Sequence, residues 1–77
     1  MHKGFVLLNC DLGAEEFIIE ELKGISNVSQ AYITFGAYDV IAKINADSQE
    51  DFDETVSFKV RRFARVVSTM TLNVINS

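Results

Sequence analysis

The segment Val28-Ser29-Gln30-Ala31-Tyr32-Ile33-Thr34-Phe35-Gly36-Ala37-Tyr38-Asp39-Val40-Ile41-Ala42-Lys43-Ile44-Asn45-Ala46 reads as two strands joined by a turn. Val28 to Phe35 and Tyr38 to Ala46 alternate along their length and are rich in β-branched and aromatic residues. Only Gly36 and Ala37 lie between them. Gly36 takes positive φ without steric cost, and glycine at the first central position predicts a two-residue type II′ hairpin. That places Val28, Gln30, Tyr32 and Thr34 on one face of the first strand, and Tyr38, Val40, Ala42, Ile44 and Ala46 on one face of the second. A slip of one residue would turn every side chain over, so this turn decides which face is apolar.

Towards the N-terminus, Gly4 to Cys10 is apolar on both alternations, which predicts a strand buried on both faces. Asp11-Leu12-Gly13 marks a turn. Ala14 to Lys23 has helical spacing, with Ala14, Phe17, Ile18, Leu22 and Ile25 on one stripe. Glu15 and Glu16 open this helix and Lys23 closes it, as the helix dipole favours, and Gly24 is the expected C′ residue. Towards the C-terminus, Asp47 is the expected N-cap, with Glu50 three residues on, as in a capping box. That helix is expected to run to about Phe63, with Phe52, Val56, Val60 and Phe63 inward. Acids gather near its start and Lys59, Arg61 and Arg62 near its end. Arg65 to Ile75 is a last β-branched run.

The resulting order is β-α-β-β-α-β. With right-handed crossovers this is a single α+β domain over residues 1–77, a ferredoxin-like sandwich: a four-stranded antiparallel sheet with both helices on one face. The other face is left bare, yet the first strand and Ile33, Phe35, Ile41, Val67 and Ile75 supply apolar residues at alternate positions. We expect a dimer through that face, where roughly 800 Å² per partner makes a standard stable interface.

Composition bears on what else stabilises so short a chain. It has 77 residues, 48% of them hydrophobic, with one cysteine and one histidine. Neither an internal disulfide nor a structural zinc site can be built from that set, which leaves self-association. The net charge of −4 lacks the basic bias of a nucleic-acid binder. No apolar stretch approaches the ~20 residues that span a bilayer. A lone thiol and no leader-like start fit a reducing cytoplasm. No phosphate-binding glycine loop, metal-ligand spacing or catalytic triad occurs, so no cofactor, metal or catalytic residue is assigned and the chain is expected not to be an enzyme.

Two groups of residues suit a small polar ligand. Asp39 suits a ligand ammonium, and the turn amides beside Gly36 and Tyr38 suit a carboxylate. The plainer account makes Asp39 a solvated turn residue and Tyr38 an amphipathic strand end. Thr69 and Thr71 put two hydroxyls on one face of the last strand, although threonine is also an ordinary strand former. Other features read more blandly. Cys10 is expected to be a small buried residue and His2 to lie in a frayed terminus. The Lys59 to Arg65 cluster is expected to be a solvated helix end. Glu15, Glu16, Glu20 and Glu21 are expected to be solvating charges. Phe58 lies off its helix stripe, which suggests an exposed aromatic at a subunit contact.

Phe35-Gly36-Ala37-Tyr38-Asp39-Val40-Ile41-Ala42-Lys43-Ile44, followed at this distance by Ser68-Thr69-Met70-Thr71-Leu72, resembles the C-terminal ligand-binding (RAM) domain of the Lrp/AsnC transcriptional regulators, over Gly4 to Ile75. The resemblance implies dimers assembled into rings, with free amino acids held in clefts between dimers by the G-x-Y-D turn and the T-x-T strand. By position those residues are Gly36, Tyr38, Asp39, Thr69 and Thr71. Regulators of the family carry a helix-turn-helix ahead of this domain. Here a strand begins by about residue 4, so the chain resembles a stand-alone member without direct DNA binding. The expected role is an amino-acid-responsive regulatory module, acting alone or by mixed assembly with full-length regulators. The alternatives are a ligand-free structural partner or, less well supported, a small ferredoxin-like enzyme.

Overall fold

A computed structural model describes residues 1–75. The elements are β1 (His2–Cys10), α1 (Glu15–Lys23), β2 (Val28–Ile33), β3 (Val40–Ala46), α2 (Gln49–Glu54) and β4 (Val66–Asn73). The sheet is antiparallel throughout, in the order β2-β3-β1-β4, so the fold is the ferredoxin-like sandwich expected from the element order.

Directly opposed residues of antiparallel strands share a face, so the register sorts the sheet into two sides. Val6 and Leu8 of β1 oppose Ala42 and Val40 of β3, and with Ile44 all are fully buried. They meet Ile18 and Leu22 of α1 and Phe52, Val56 and Val60 of the second helical segment in one core. Gly4 lies in the same row, where the ring of Phe52 presses on its backbone. A Cβ there would come within 2.5 Å of both Phe52 Cζ and the Leu72 carbonyl oxygen, so only glycine fits.

β1 is buried on one face only, contrary to the expectation from its apolar sequence. Phe5 and Leu7 lie on the opposite, open face and are half-buried. Tyr32, Ile41, Met70 and Leu72 accompany them there, with Met70 and Leu72 nearly half exposed. The open apolar face therefore exists, but its members differ from those expected. Ile41 belongs to it. Ile33 instead opposes Val40 on the helix side at the sheet edge, Phe35 stands in a loop, Val67 sits at a register shift, and Ile75 lies beyond β4. A second register shift between Val28 and Gln30 returns Val28 to the core side while Gln30 and Tyr32 face outward. That shift breaks the single alternation read for this strand.

The two-residue hairpin is not formed. β2 ends at Ile33 and β3 starts at Val40, leaving the loop Thr34–Asp39. The Thr34 amide donates to the Asp39 carbonyl (2.8 Å) and the Thr34 hydroxyl donates to the Tyr38 carbonyl (2.6 Å). These bonds close the loop at its base and take Phe35 to Tyr38 out of the ladder.

The helices also depart from expectation in detail. Phe17 is 47% exposed, although its spacing put it on the inward stripe, and the Arg65 guanidinium lies 5.7 Å from its ring centre. Gly24 keeps a right-handed φ of −78°, and the chain leaves α1 through consecutive tight turns instead of a left-handed cap. Ser48, not Asp47, caps α2: its hydroxyl accepts the Asp51 amide at 3.1 Å. Beyond Glu54 the α-helix gives way to a π-helical stretch, Thr55–Lys59, and a 3₁₀ turn, Val60–Arg62. Phe52, Val56 and Val60 are nevertheless all inward, as the stripe required. Phe58 is 60% exposed under the Arg62 guanidinium. His2 is paired with Ala46 in β1 and is not frayed, and Cys10 is half-buried at the end of that strand. The last strand spans Val66–Asn73, shorter than the run Arg65 to Ile75.

Candidate functional site

One end of the sheet gathers most of the candidate residues. β1 finishes there at Cys10, the loop Thr34–Asp39 turns there, and β4 starts there at Val66. Gly36 has a φ of 154°, which L residues rarely adopt. A Cβ at that position would meet nothing within 4 Å, so the demand for glycine is conformational.

Asp39 is an anchor in its own right. Its amide donates to the Leu8 carbonyl (2.9 Å), and its carboxylate Oδ2 accepts the Cys10 amide (2.9 Å). The other oxygen, Oδ1, accepts no hydrogen bond among the described residues. The same is true of the Phe35, Gly36, Ala37 and Tyr38 amides as donors. The loop thus presents one open carboxylate oxygen beside several open N–H groups. Opposite charges on adjacent atoms of a ligand would meet both. Burial, then the Asp39 charge, raises the Cys10 thiol above its ordinary value, so this thiol is held protonated.

Tyr38 reaches across the end of β1 and places its hydroxyl 3.5 Å from the Met70 sulfur, on the open face. Thr69 opposes Leu8 and Thr71 opposes Val6, so both hydroxyls belong to the helix side of the edge strand β4. Thr69 is half-buried and Thr71 is exposed. Asp39 and Thr69 flank the end of β1 from either side, roughly 10 Å apart by two strand spacings. One chain therefore brings Gly36, Tyr38 and Asp39 together, puts Thr69 near them, and turns both threonines away from the Tyr38 phenol.

The two most prominent depressions are lined by none of these five. A shallow depression of about 390 Å³ lies along β2, lined by Lys23, Val28, Ser29, Gln30, Ala31 and Tyr32. Another of about 280 Å³ lies between Met1, Lys3, Val74 and Ile75. Among the described residues no group of three or more metal-ligating side chains occurs, and no helix is long and apolar enough to cross a membrane.

Sequence reasoning missed the tie between Asp39 and Cys10. Its only trace was a carboxylate placed just before a strand that pairs with β1, which a mistaken register hid.

The chain is similar to several solved structures. FFRP-DM1 is 31% identical over 97% of this chain and 100% of its own, with a TM-score of 0.93. The hypothetical protein PHS023 from Pyrococcus horikoshii is 30% identical over 100% of this chain and 93% of its own, also with a TM-score of 0.93. The transcriptional regulator NMB0573 from Neisseria meningitidis, solved as an L-Met complex, is 13% identical with a TM-score of 0.87. It shares the fold, and this chain spans half its length. No curated protein sequence matches the chain. Residues 3–77 match the family model for the Lrp/AsnC ligand binding domain, and with that match the chain belongs to the Lrp/AsnC ligand binding domain family.

Proposed function

We propose that this chain is an oligomeric amino-acid-binding module that regulates by assembly and carries out no bond chemistry. The supporting observation is the Asp39 loop: one open carboxylate oxygen beside several open amides, on an exposed turn. Such a half-site needs a second surface to close over a ligand. The apolar open face around Phe5, Leu7, Ile41 and Met70 calls for a second copy to cover it. Paired sheets that then meet end to end would bring Thr69 or Thr71 of one copy towards the Gly36–Asp39 loop of another. The site becomes Gly36, Tyr38, Asp39, Thr69 and Thr71, shared between subunits. A ligand at such a junction stabilises the assembly that contains it. Mixed assembly with full-length regulators of the family would carry that response to DNA, which this domain does not itself contact. The L-Met found on the Neisseria meningitidis regulator is the ligand class we carry over.

Isothermal titration of the assembled protein with each of the twenty amino acids tests this reading. At least one should bind with a submillimolar Kd, and Asp39→Asn should weaken it. If none binds below millimolar, the ligand-free structural partner is the better account. The placement of Thr69 and Thr71 on the helix side, away from the Tyr38 phenol, within one chain is the observation that favours that account.

A further inference from the structure

All eleven carboxylates of the chain lie outside the strands. Within β1–β4 the only lysines are Lys3 and Lys43, and no arginine occurs. Both lysines fall on the open face. Lys3 opposes Asn45, and Lys43 lies between Phe5 of β1 and Gln30 of β2. Lys43 is also the middle residue of β3, one of the two central strands, and it is half-buried in the single chain. The face that should be covered thus has one cation near its centre, a second at its end, and no anion in any strand.

We propose that Lys43 sets both the strength and the partner preference of pairing through this face. The proposal rests on the reading that a second copy covers the face. In a two-fold pairing, a residue near the axis meets its own counterpart. Lys43 then faces Lys43 beside Phe5, Ile41 and the neutral Gln30 and Asn45, and the partner's strands provide no carboxylate to meet the ammonium. A desolvated cation without a counter-charge weakens association, and like charges brought together disfavour that pairing over others. Self-pairing is accordingly weaker than its apolar area alone would give. A copy with a carboxylate at position 43 is preferred over an identical one, which favours mixed assembly over homo-assembly.

The test mixes wild type with Lys43→Glu in equal amounts and counts species by native mass spectrometry after subunit exchange. Random pairing gives about one half heterodimer, whereas a coupling of about tenfold or more lifts the mixed species to a clear majority. Lys43→Met should tighten self-association about tenfold, and Lys43→Gln should act in the same direction by less. Raising NaCl from about 0.05 to about 0.5 M should strengthen wild-type self-association and erode the mixed preference, because salt screens repulsion and attraction alike. Circular dichroism checks that each variant is folded. Half heterodimer, with Lys43→Met and Lys43→Gln both at wild-type affinity, overturns the proposal. Leu7→Lys, which adds a second buried cation and no counter-charge, separates the two levels. If it leaves the oligomer intact, the face is not covered and the underlying reading fails. If it dissolves the oligomer while the Lys43 variants change nothing, the role of Lys43 alone fails.

Discussion

Replacing Asp39 separates anchoring from ligand binding. The Asp39 carboxylate accepts the Cys10 amide at 2.9 Å in a partly buried site, while its own amide holds the Leu8 carbonyl. Asp39→Ala leaves the Leu8 bond but strands the Cys10 amide at the end of β1. A charge-assisted bond lost with its donor left partly buried costs about 2 kcal/mol. In a domain of this size that lowers Tm by roughly 10 °C, read at fixed protein concentration because assembly shifts the apparent value. Asp39→Asn keeps a carbonyl oxygen within reach of the Cys10 amide, so its cost should be about 1 kcal/mol or less. Its ligand affinity should nevertheless fall at least tenfold, because the ammonium loses its counter-charge. Urea denaturation and calorimetric titration on the same two variants give both numbers. An alanine variant within about 0.5 kcal/mol of wild type would refute the anchor. An asparagine variant that binds amino acid as tightly as wild type would refute the charge pairing.

Three further outcomes follow from the core and the sheet end. Gly4→Ala should lose about 3 kcal/mol, and adding Phe52→Leu should not restore it, because the Leu72 carbonyl oxygen still stands 2.5 Å from the new Cβ; full rescue in urea melts would contradict this. Asn27→Ala should cost about 2 kcal/mol, since the Asn27 amide donates to both Asp51 (3.1 Å) and the buried Thr55 hydroxyl (2.8 Å), and an unchanged urea midpoint would count against that clamp. Cys10 should react slowly with iodoacetamide at pH 8 and faster in Asp39→Asn, because burial and the Asp39 charge hold the thiol protonated. With the thiol raised in the folded state, its contribution to stability is complete below the unfolded value and is lost as pH rises through the folded one.

The sequence carried the architecture because its strongest signals are long and periodic. Ile18 and Leu22 sit where a 3.6-residue period puts them, and so do Phe52, Val56 and Val60, even through a π-helical stretch that shifts the local repeat. Local chemistry was less legible. Gly36-Ala37 has the signature of a tight turn, yet the Thr34 bonds to Asp39 and Tyr38 close a longer loop, and no pairwise rule weighs those side-chain bonds against ladder pairs. The shift at Val28/Gln30 could not be read from alternation, because a bulge leaves no compositional mark. Phe17 misled for a different reason: its helical phase suits the core, but Arg65 gives its ring a partner at the surface. Of the site, Gly36, Tyr38 and Asp39 were found together because they are contiguous. The side on which Thr69 and Thr71 lie depends on the β1–β4 register, which strand composition does not fix.

Static light scattering at micromolar concentration, comparing wild type with Leu7→Lys, tests the covered sheet face most directly. Wild type should scatter as a dimer or larger, and the added lysine at the centre of the open face should reduce it to a folded single chain of 8.6 kDa. A wild-type protein already at that mass, or a Leu7→Lys variant that keeps the full assembly, would contradict the account.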